Sequence, residues 1–353
     1  MEPGDRSETD ETEGDDERKE ELTYAETGVD VEESEAATAA LTGAAGLAGD
    51  GDGEDHGDGD DSEGVPTEYA GVLDLGDRHL GLTTDGVGTK LLVARAVDDH
   101  STVGVDCVAM NVNDLVASGL KPVGFVDYLA VAEPDERTAR EVGEGLATGA
   151  ELAGVRLLGG ETAVMPEVVR GLDLAGACVG TAPPDGLLNG DAEPGDRLVG
   201  WASSGVHSNG LTLAREAVTR EHEYADPFPP EPERTVGEAL LSPTRIYADL
   251  LGPLRRHARA AAHVTGGGWR NLRRLGDRRY VVDDPHPTQP VFAFVQREGS
   301  VTDAEMHRTF NMGTGFVAVA APEAAERLAS DTDGRVIGRV EEGTGVAVRG
   351  LEL

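Results

Sequence analysis

The segment that most constrains this chain is residues 84–90, TDGVGTK. It follows the strand-like run 79–83 and brings the Asp85 carboxylate, two glycines and the Lys90 ammonium into seven residues. A strand that ends in such a turn is suited to holding a polyphosphate and its metal ion. Lys90 is one of only three lysines among 30 basic residues, so it is not compositional background. The alternative is an ordinary strand-to-helix turn with a surface lysine.

The charge of the chain excludes one class of partner. Its 353 residues include 67 Asp and Glu against 30 Lys and Arg, a net charge of −37. Binding a phosphate backbone requires a basic face, so we expect no nucleic-acid partner. A surface this acidic suits a cytoplasm at very high salt, where the Debye length shrinks to about 3 Å. We therefore interpret the source as halophilic.

Cysteines and apolar runs indicate where the protein resides. Cys107 and Cys178 lie in no CxxC pattern, which predicts two buried apolar side chains. Residues 1–21 lack the apolar core of a signal peptide, and no run approaches the roughly 18 apolar residues of a membrane span. We expect a cytoplasmic protein that does not enter a membrane.

The length of the chain predicts two domains. Residues 1–21 are acidic and polar throughout, which predicts a disordered tail. Turn-forming residues cluster just after residue 180 and mark the boundary between the domains. We therefore expect an amino-terminal domain over 22–182, interrupted by an acidic loop at 43–64, and a carboxyl-terminal α/β domain over 183–353.

Beyond residue 64, apolar strand-like runs alternate with helical stretches. The predicted strands are 80–83, 123–131, 155–158, 172–179, 198–202, 262–264, 280–282, 316–320 and 335–340. The predicted helices are 107–118, 136–152, 210–219, 243–258 and 322–329. This alternation predicts an α/β or α+β fold.

The helix predicted at 107–118 carries an unusual polar face. Asp106 is suited to cap its start, and Gly119 suits a left-handed end. At 100° per residue, one side of this helix is apolar and the other holds Asp106, Asn111, Asn113 and Asp114. Oxygen ligands of this kind fit Mg²⁺. The alternative is an amphipathic helix on the protein surface.

Four further glycine loops add polar groups next to apolar strands. Glu161 follows two glycines and is placed to bind metal or substrate. The loop SSGVHSNG, residues 203–210, lacks the G-x-S-x-G elbow, which favours anion binding over nucleophilic catalysis. The TGGG loop, 265–268, can turn bare amides toward a phosphate. The fifth loop, 310–315, is open to a structural interpretation. Together the loops fit a site that holds several phosphates.

Seven segments in this order resemble phosphoribosylformylglycinamidine cyclo-ligase, also called aminoimidazole ribonucleotide synthetase. They are TDGVGTK, GVDCVAMNVNDL, GGETAVMP, SSGVHSNG, SPTRIY, TGGG and MHRTFNMGTG. The resemblance covers about residues 22–350 and, with the acidic composition, indicates a halophilic archaeal type. It implies an enzyme of purine biosynthesis that uses ATP to close the imidazole ring of formylglycinamidine ribonucleotide, releasing ADP and phosphate. It also implies Mg²⁺, allows K⁺, and implies a homodimer joined through the amino-terminal sheets.

The resemblance and the residue types together predict the site. Asp85 and Asp114 are predicted to hold Mg²⁺ and ATP. The other predicted nucleotide-binding residues are Gly86, Gly88, Thr89, Lys90, Asp106 and Asn111. The predicted substrate-binding residues are Glu161, Ser204, His207, Ser208, Asn209, Thr265, Gly266, Gly267 and Gly268. The predicted catalytic residues are Lys90, Asp106, Glu161 and His207.

The sequence departs from the family pattern in two places, and three other functions are alternatives. The acidic loop 43–64 replaces the glycine-rich loop of the family, and the WRN run at 269–271 is one residue shorter than the family pattern. Within the superfamily, thiamine-phosphate kinase is a rival. Selenophosphate synthetase is another, but it would require a reactive cysteine before Cys107. A rival of a different class is a non-catalytic acidic scaffold protein.

Overall fold

The computed structural model describes residues 22–25, 27–28, 31–44, 64–65 and 67–353. The predicted tail and nearly all of the acidic loop lie outside these residues. Within them the chain forms two domains, each built on one β-sheet.

Six strands form the sheet of the amino-terminal domain: β1 (Gly64–Val65), β2 (Gly71–Asp74), β3 (His79–Gly86), β4 (Lys121–Val131), β5 (Arg156–Val164) and β6 (Leu172–Ala182). Their order is β1-β2-β3-β6-β4-β5, and every neighbouring pair is antiparallel except β4 and β5. One face of this sheet is covered by helices, which explains why alternate residues of β6, including Cys178, are buried.

The helices of this domain are α1 (Val31–Ala44), α2 (Lys90–Val97), α3 (Val103–Ala117) and α4 (Glu136–Ala153). α3 lies against the sheet and α4 packs on α3. Their backbones approach closely at two glycines. A Cβ on Gly104 would lie 2.3 Å from the Leu146 nitrogen, and one on Gly145 would lie 2.7 Å from the Ser101 oxygen. Only glycine permits this approach, which holds α3 in place under the site described below.

The remaining strands are β7 (Arg197–Ala202), β8 (Pro227–Phe228), β9 (Glu231–Thr235), β10 (Ala260–His263), β11 (Arg279–Val282), β12 (Thr314–Ala320), β13 (Arg335–Glu341), β14 (Gly345–Val348) and β15 (Leu351–Glu352). Seven of them form the carboxyl-terminal sheet in the order β10-β12-β7-β13-β11-β14-β15, while β8 and β9 pair separately. Every residue of β12 is buried, which explains its unbroken apolar and small-residue sequence, TGFVAVA.

The helices of the carboxyl-terminal domain are α5 (Leu211–Val218), α6 (Val236–Leu240), α7 (Leu251–His257), α8 (Pro290–Gly299), α9 (Asp303–Thr309) and α10 (Pro322–Ser330). Two 3₁₀ helices, Ala248–Leu250 and Gly268–Leu275, accompany them. None of the helices in the described ranges combines the length and apolar character needed to cross a bilayer.

The layers of helix and sheet confirm the predicted fold class, and all nine predicted strands are present. The helix predicted at 243–258 was wrong in its first part, since only residues 248–257 are helical. Residues 242–247 instead run along α3, where the N–H groups of Thr244 and Tyr247 donate to side chains of that helix. Tertiary hydrogen bonds thus replace helical ones in this segment.

α3 also differs from its prediction at its start. The helix begins at Val103, so Asp106 lies inside it and is not the capping residue. Gly119 has a φ of +80°, which confirms the predicted left-handed end. Asp106, Asn111 and Asn113 are fully buried, so the alternative of an amphipathic surface helix was wrong. The polar face of α3 is covered by the carboxyl-terminal domain.

Candidate active site

The turn after β3 places a carboxylate next to the second domain. Asp85 is the last residue but one of β3, just before this turn, and its Oδ1 accepts a hydrogen bond of 2.7 Å from the Gly86 N–H. Gly88 has a φ of +69°, which allows the chain to turn into α2. The Thr89 hydroxyl accepts a 3.0 Å hydrogen bond from Thr212 of α5. The predicted strand and glycine turn are therefore confirmed, α2 follows them, and all three lie at a corner between the domains.

Lys90 points into the protein. Its Nζ donates to Asp106 Oδ1 at 2.8 Å and to the Ser242 carbonyl oxygen at 2.7 Å, and the Lys90 and Asp106 side chains are fully buried. Asp106 Oδ1 also accepts from the Thr244 N–H at 2.8 Å and from its hydroxyl at 2.6 Å. Burial lowers the pKa of Lys90, and the adjacent Asp106 carboxylate opposes that shift. The Lys90–Asp106 pair thus joins α2 and α3 to the carboxyl-terminal domain, away from open surface.

Asp114 meets His263 where α3 packs against β10. Asp114 Oδ1 lies 3.0 Å from His263 Nδ1; His263 is fully buried, whereas 20% of the Asp114 side chain is exposed. Burial raises the pKa of Asp85 to about 6, and the negative charge of Asp114 is the second cause. A cation bound between Asp85 and Asp114 would favour the ionised form of Asp85. The structure therefore brings the two predicted metal ligands together.

The asparagines of α3 have different surroundings. Asn111 Nδ2 donates to the backbone oxygens of Asp85 and Cys107 at 3.2 and 2.9 Å. Its Oδ1 is buried and has no hydrogen-bond partner in the described part of the chain. That oxygen is free to accept from a ligand or to face a cation. Asn113 Oδ1 accepts the Tyr247 N–H at 2.9 Å, so this side chain holds the neighbouring segment in place.

His263 is absent from the predicted site residues. Its Nε2 lies 3.3 Å from Asn113 Nδ2, and the Tyr69 hydroxyl donates to its backbone oxygen at 3.4 Å. Because the Asn113 amide nitrogen can only donate, Nε2 accepts and Nδ1 carries the proton toward Asp114. The signal that could have found this residue is its position as the last residue of β10, with only Val264 between it and the TGGG loop.

The predicted substrate loop at 203–210 turns its histidine inward. His207 is fully buried, has a φ of +64°, and accepts a 3.1 Å hydrogen bond at Nε2 from the Ser204 N–H. The Ser208 hydroxyl lies 3.4 Å from that of Thr244. These contacts order the loop against the segment that also binds Asp106.

The TGGG loop forms the open part of the predicted substrate site. A Cβ on Gly266 would lie 3.4 Å from the Asn209 side-chain oxygen, so this loop touches the preceding one. Gly266 is exposed and Thr265 and Gly267 are half-buried, whereas Gly268 is buried. The backbone at Gly266 and Gly267 is therefore accessible to an anion.

Glu161 lies apart from this cluster within one chain. It is exposed on the edge strand β5, where its register partner on β4 is Tyr128. The row of register partners that begins at Asp85 runs through β6 and β4 to Gly160. Since neighbours along a strand point to opposite faces, Glu161 and Asp85 face opposite sides of the sheet.

The donor set at the corner fits Mg²⁺. No group of three His, Cys, Asp or Glu side chains forms a ready-made metal site among the residues described above. Mg²⁺ retains several waters and takes one or two carboxylates together with phosphate oxygens. Asp85 and Asp114, with the unpartnered Asn111 oxygen nearby, supply ligands of that type.

Acidification is expected to destabilise the fold through His207. Burial lowers the pKa of His207 well below its usual value, and nearby His263 and Lys90 lower it further. Near pH 6.5 the unfolded chain binds a proton that the folded chain does not. The free energy of unfolding is therefore not reduced by His207 above that pH. As the pH falls below it, this free energy decreases by up to about 1.4 kcal/mol per pH unit. Between pH 7 and 5, the Tm should fall more steeply for the wild type than for His207→Asn.

Thermal melts across this pH range measure the effect. Asparagine is chosen because it tolerates a positive φ. His307→Asn, a change at a partly exposed histidine on α9, is the matched control and should melt like the wild type. Equal pH slopes for the wild type and His207→Asn would contradict the prediction.

Comparisons with known proteins agree with this arrangement. Residues 67–182 match the family model described as AIR synthase related protein, N-terminal domain, and residues 193–350 match AIR synthase related protein, C-terminal domain. A solved structure of thiamine monophosphate kinase from Aquifex aeolicus shares the fold. It has a TM-score of 0.63 and 18% identity, covering 92% of this chain and 99% of that one.

Two relatives match along nearly their whole length. The chain is 42% identical over 333 residues to phosphoribosylformylglycinamidine cyclo-ligase of Methanosarcina acetivorans, covering 94% of this chain and 98% of the relative. It is also 42% identical over 349 residues to the protein of the same name from Thermococcus gammatolerans, covering 94% and 100%. Together with the two domain matches, these identities show that the chain belongs to the phosphoribosylformylglycinamidine cyclo-ligase family, the ligases of purine biosynthesis that its loops resemble.

Proposed function

We propose that the chain closes the imidazole ring of formylglycinamidine ribonucleotide at the corner where β3, α3 and β10 meet. The observation that carries the proposal is the pair of acidic side chains at this corner, where burial and then the negative charge of Asp114 raise the pKa of the Asp85 carboxyl to about 6. ATP supplies the phosphoryl group, and aminoimidazole ribonucleotide, ADP and phosphate are the products. Phosphoryl transfer depends on positioning and charge neutralisation, and the corner would supply both when its carboxylates hold a metal ion.

The corner residues would hold ATP with its metal ion. Asp85 and Asp114 would bind Mg²⁺, which when bound neutralises the phosphate charge. The His263 contact at 3.0 Å fixes the orientation of the Asp114 carboxylate. The backbone of Gly86 and Gly88 in the turn after β3 would face the nucleotide phosphates.

The chemistry requires an activated amide in the substrate. The amide oxygen is a poor leaving group, so it first takes the γ-phosphoryl group of ATP, and ADP departs. An amidine nitrogen then attacks the activated carbon, a C–N bond forms, the C–O bond to phosphate breaks, and the nitrogen loses its proton. The chain contributes by holding the two reactants in line.

Three buried side chains pack behind this site: Lys90, Asp106 and His207. Their side chains are fully buried and are engaged by Ser242, Thr244 and the loop that begins at residue 203. We assign them as positioning residues that set the distance between the domains. The accessible backbone of Gly266 and Gly267 remains available for a phosphate oxygen.

An assay of the purified protein tests the proposal. With formylglycinamidine ribonucleotide, ATP and Mg²⁺ in molar KCl, we expect aminoimidazole ribonucleotide and ADP in equal amounts. Thiamine phosphate is the matched alternative substrate, because a thiamine monophosphate kinase shares the fold. Phosphorylation of thiamine phosphate without ring closure would overturn the proposal.

The protein would act as a homodimer through the amino-terminal sheet. The sheet face opposite α3 exposes Leu82, Val126 and Tyr128, which are 57%, 41% and 43% accessible. The edge strand β5 is exposed along nearly its whole length. Among the residues that the structure describes, nothing covers this apolar face or pairs with the outer edge of β5, which fits association with a second copy. Glu161 lies on that face, so any catalytic role for it would depend on the partner chain.

Val126→Glu is expected to convert the dimer into monomers. The change places a charge in the middle of the apolar face, and burying an unpaired charge is strongly unfavourable. Sedimentation equilibrium measures the mass. Leu152→Glu, on the exposed surface of α4, is the matched control and should leave the mass of the wild type unchanged. A dimeric Val126→Glu protein would rule out this face as the interface.

The net charge supports a cytoplasm rich in salt and argues against nucleic acid or anionic membranes as partners. We expect the Tm to fall as KCl is lowered from molar concentration to about 0.1 M, where the Debye length lengthens to about 10 Å and self-repulsion grows. Thermal melts at fixed pH measure the trend. A Tm that stays constant across this range would remove the halophilic interpretation without affecting the ligase assignment.

A further inference from the structure

A cavity of about 710 Å³ lies between the two domains, beside the corner that we assign to Mg²⁺ and ATP. Its walls include Ser118 after α3, Asp191 in the link between the domains, and residues 273–278. Tyr69 also lines it and donates to the backbone oxygen of His263, whose side chain contacts Asp114. The cavity has the volume of a small-molecule site and borders the proposed reaction centre.

Three arginines line this cavity: Arg273, Arg274 and Arg278. In the part of the chain that the structure describes, neither Arg274 nor Arg278 forms an ion pair with a carboxylate. Arg273 differs, because it donates at 2.9 Å to a terminal oxygen of Leu353, the last residue of the chain. Arg278 donates to the Ala192 backbone oxygen at 3.0 Å. By contrast, the next residue in the chain, Arg279, binds Glu352 at 3.0 Å. Two arginines without a carboxylate partner in one cavity, Arg274 and Arg278, are unexpected in a chain with 67 acidic and 30 basic residues, and they indicate an anionic ligand.

Arg274 is held in an orientation suited to phosphate. Its guanidinium carbon lies 4.8 Å from the centre of the Tyr69 ring. Stacking on an aromatic face leaves the edges of the guanidinium free to bind a phosphate through two hydrogen bonds. Burial raises the pKa of Tyr69, so its phenol stays protonated beside that cation.

The cavity also contains carboxylates, which indicate that its ligand carries hydrogen-bond donors as well as an anionic group. Glu68, Asp191 and Asp277 line it together with the arginines. These carboxylates would repel a bare anion, but they accept hydrogen bonds from hydroxyl groups. A ribose 5-phosphate matches both sets, because its phosphate meets the arginines and its hydroxyls meet the carboxylates.

We propose that this cavity binds the ribose 5-phosphate group of the substrate. The inference rests on the proposed function and locates one part of the substrate within it. It also differs from the prediction that Ser204 and His207 bind the substrate, since His207 is fully buried and the two residues bind each other. The reactive end of the substrate would then extend past Tyr69 toward Asp114.

Steady-state kinetics of Arg274→Gln and Arg278→Gln test the proposal at saturating ATP. Losing one charge-assisted contact should raise the KM for formylglycinamidine ribonucleotide by about 10- to 100-fold, with kcat within about threefold of the wild type. The KM for ATP should not change. Arg327→Gln, which alters an exposed arginine on α10, is the matched control. Two variants are used because Arg274 also packs on Tyr69.

Free ribose 5-phosphate provides a second measurement that does not depend on activity. It should raise the Tm of the wild type, raise that of Arg274→Gln much less, and inhibit competitively with the substrate. The proposal is overturned if Arg274→Gln and Arg278→Gln have the same KM for formylglycinamidine ribonucleotide, and the same Tm shift with ribose 5-phosphate, as Arg327→Gln. If ribose 5-phosphate inhibits without competing with the substrate, the cavity binds a free sugar phosphate and not the substrate. That result would also overturn the proposal. If the wild-type protein has no ring-closing activity, the proposed function is contradicted. The melting experiment still shows whether the cavity binds ribose 5-phosphate, because it does not depend on activity.

Discussion

Asp114→Asn is expected to lower kcat by about 10²- to 10³-fold, as is typical when one charge-stabilising group is removed from a transition state. Asparagine has the size of aspartate and can still accept a hydrogen bond from His263 Nδ1, which lies 3.0 Å from the carboxylate in the wild type. What is lost is the negative charge that, with Asp85, would hold Mg²⁺. Turnover measured over a range of Mg²⁺ concentrations should show a raised Mg²⁺ requirement as well.

Two measurements separate this effect from unfolding. The Tm of Asp114→Asn should stay close to that of the wild type, since 20% of the side chain is exposed and its packing is retained. Asp77→Asn removes the same charge from an exposed turn between β2 and β3 and should leave kcat unchanged. Near-wild-type turnover of Asp114→Asn at limiting Mg²⁺ would exclude Asp114 from the metal site.

Lys90→Met should lower the free energy of unfolding by about 3–5 kcal/mol, the range found when one partner of a buried ion pair is removed. The Lys90 and Asp106 side chains are both fully buried, and removing the ammonium leaves the carboxylate without its countercharge. The Ser242 carbonyl loses its hydrogen-bond donor as well. Denaturant titration of the unliganded protein measures the change.

The same variant distinguishes a positioning role from the predicted phosphate contact. A lysine that binds only phosphate would raise the KM for ATP and leave the unliganded protein as stable as the wild type. Lys121→Met is a closely matched control, because Lys121 is exposed at the start of β4 and lysine is rare in this chain. If Lys90→Met and Lys121→Met unfold at the same denaturant concentration, the buried pair does not stabilise the fold.

Local sequence patterns correctly predicted the strands and turns whose conformation depends little on contacts with distant residues. The run 316–320 lies within β12, where every residue is buried, and the run 80–83 lies within β3, where more buried and more exposed residues alternate. The turn at Gly88 and the helix end at Gly119 follow from the tolerance of glycine for positive φ. Helix 243–258 was partly wrong because Thr244 and Tyr247 bond to α3, and no local pattern shows that α3 lies beside them.

The sequence by itself determined the fold class, the loops and the family, because strand periodicity, glycine turns and the order of the motifs are written along the chain. Only the tertiary structure decided which polar side chains contact each other. It buried Lys90 against Asp106, set His263 beside Asp114, and turned Glu161 to the other face of the sheet. These pairings join residues as far apart as 149 positions in the chain, and only the packing of α3 between the two domains brings them within hydrogen-bonding distance.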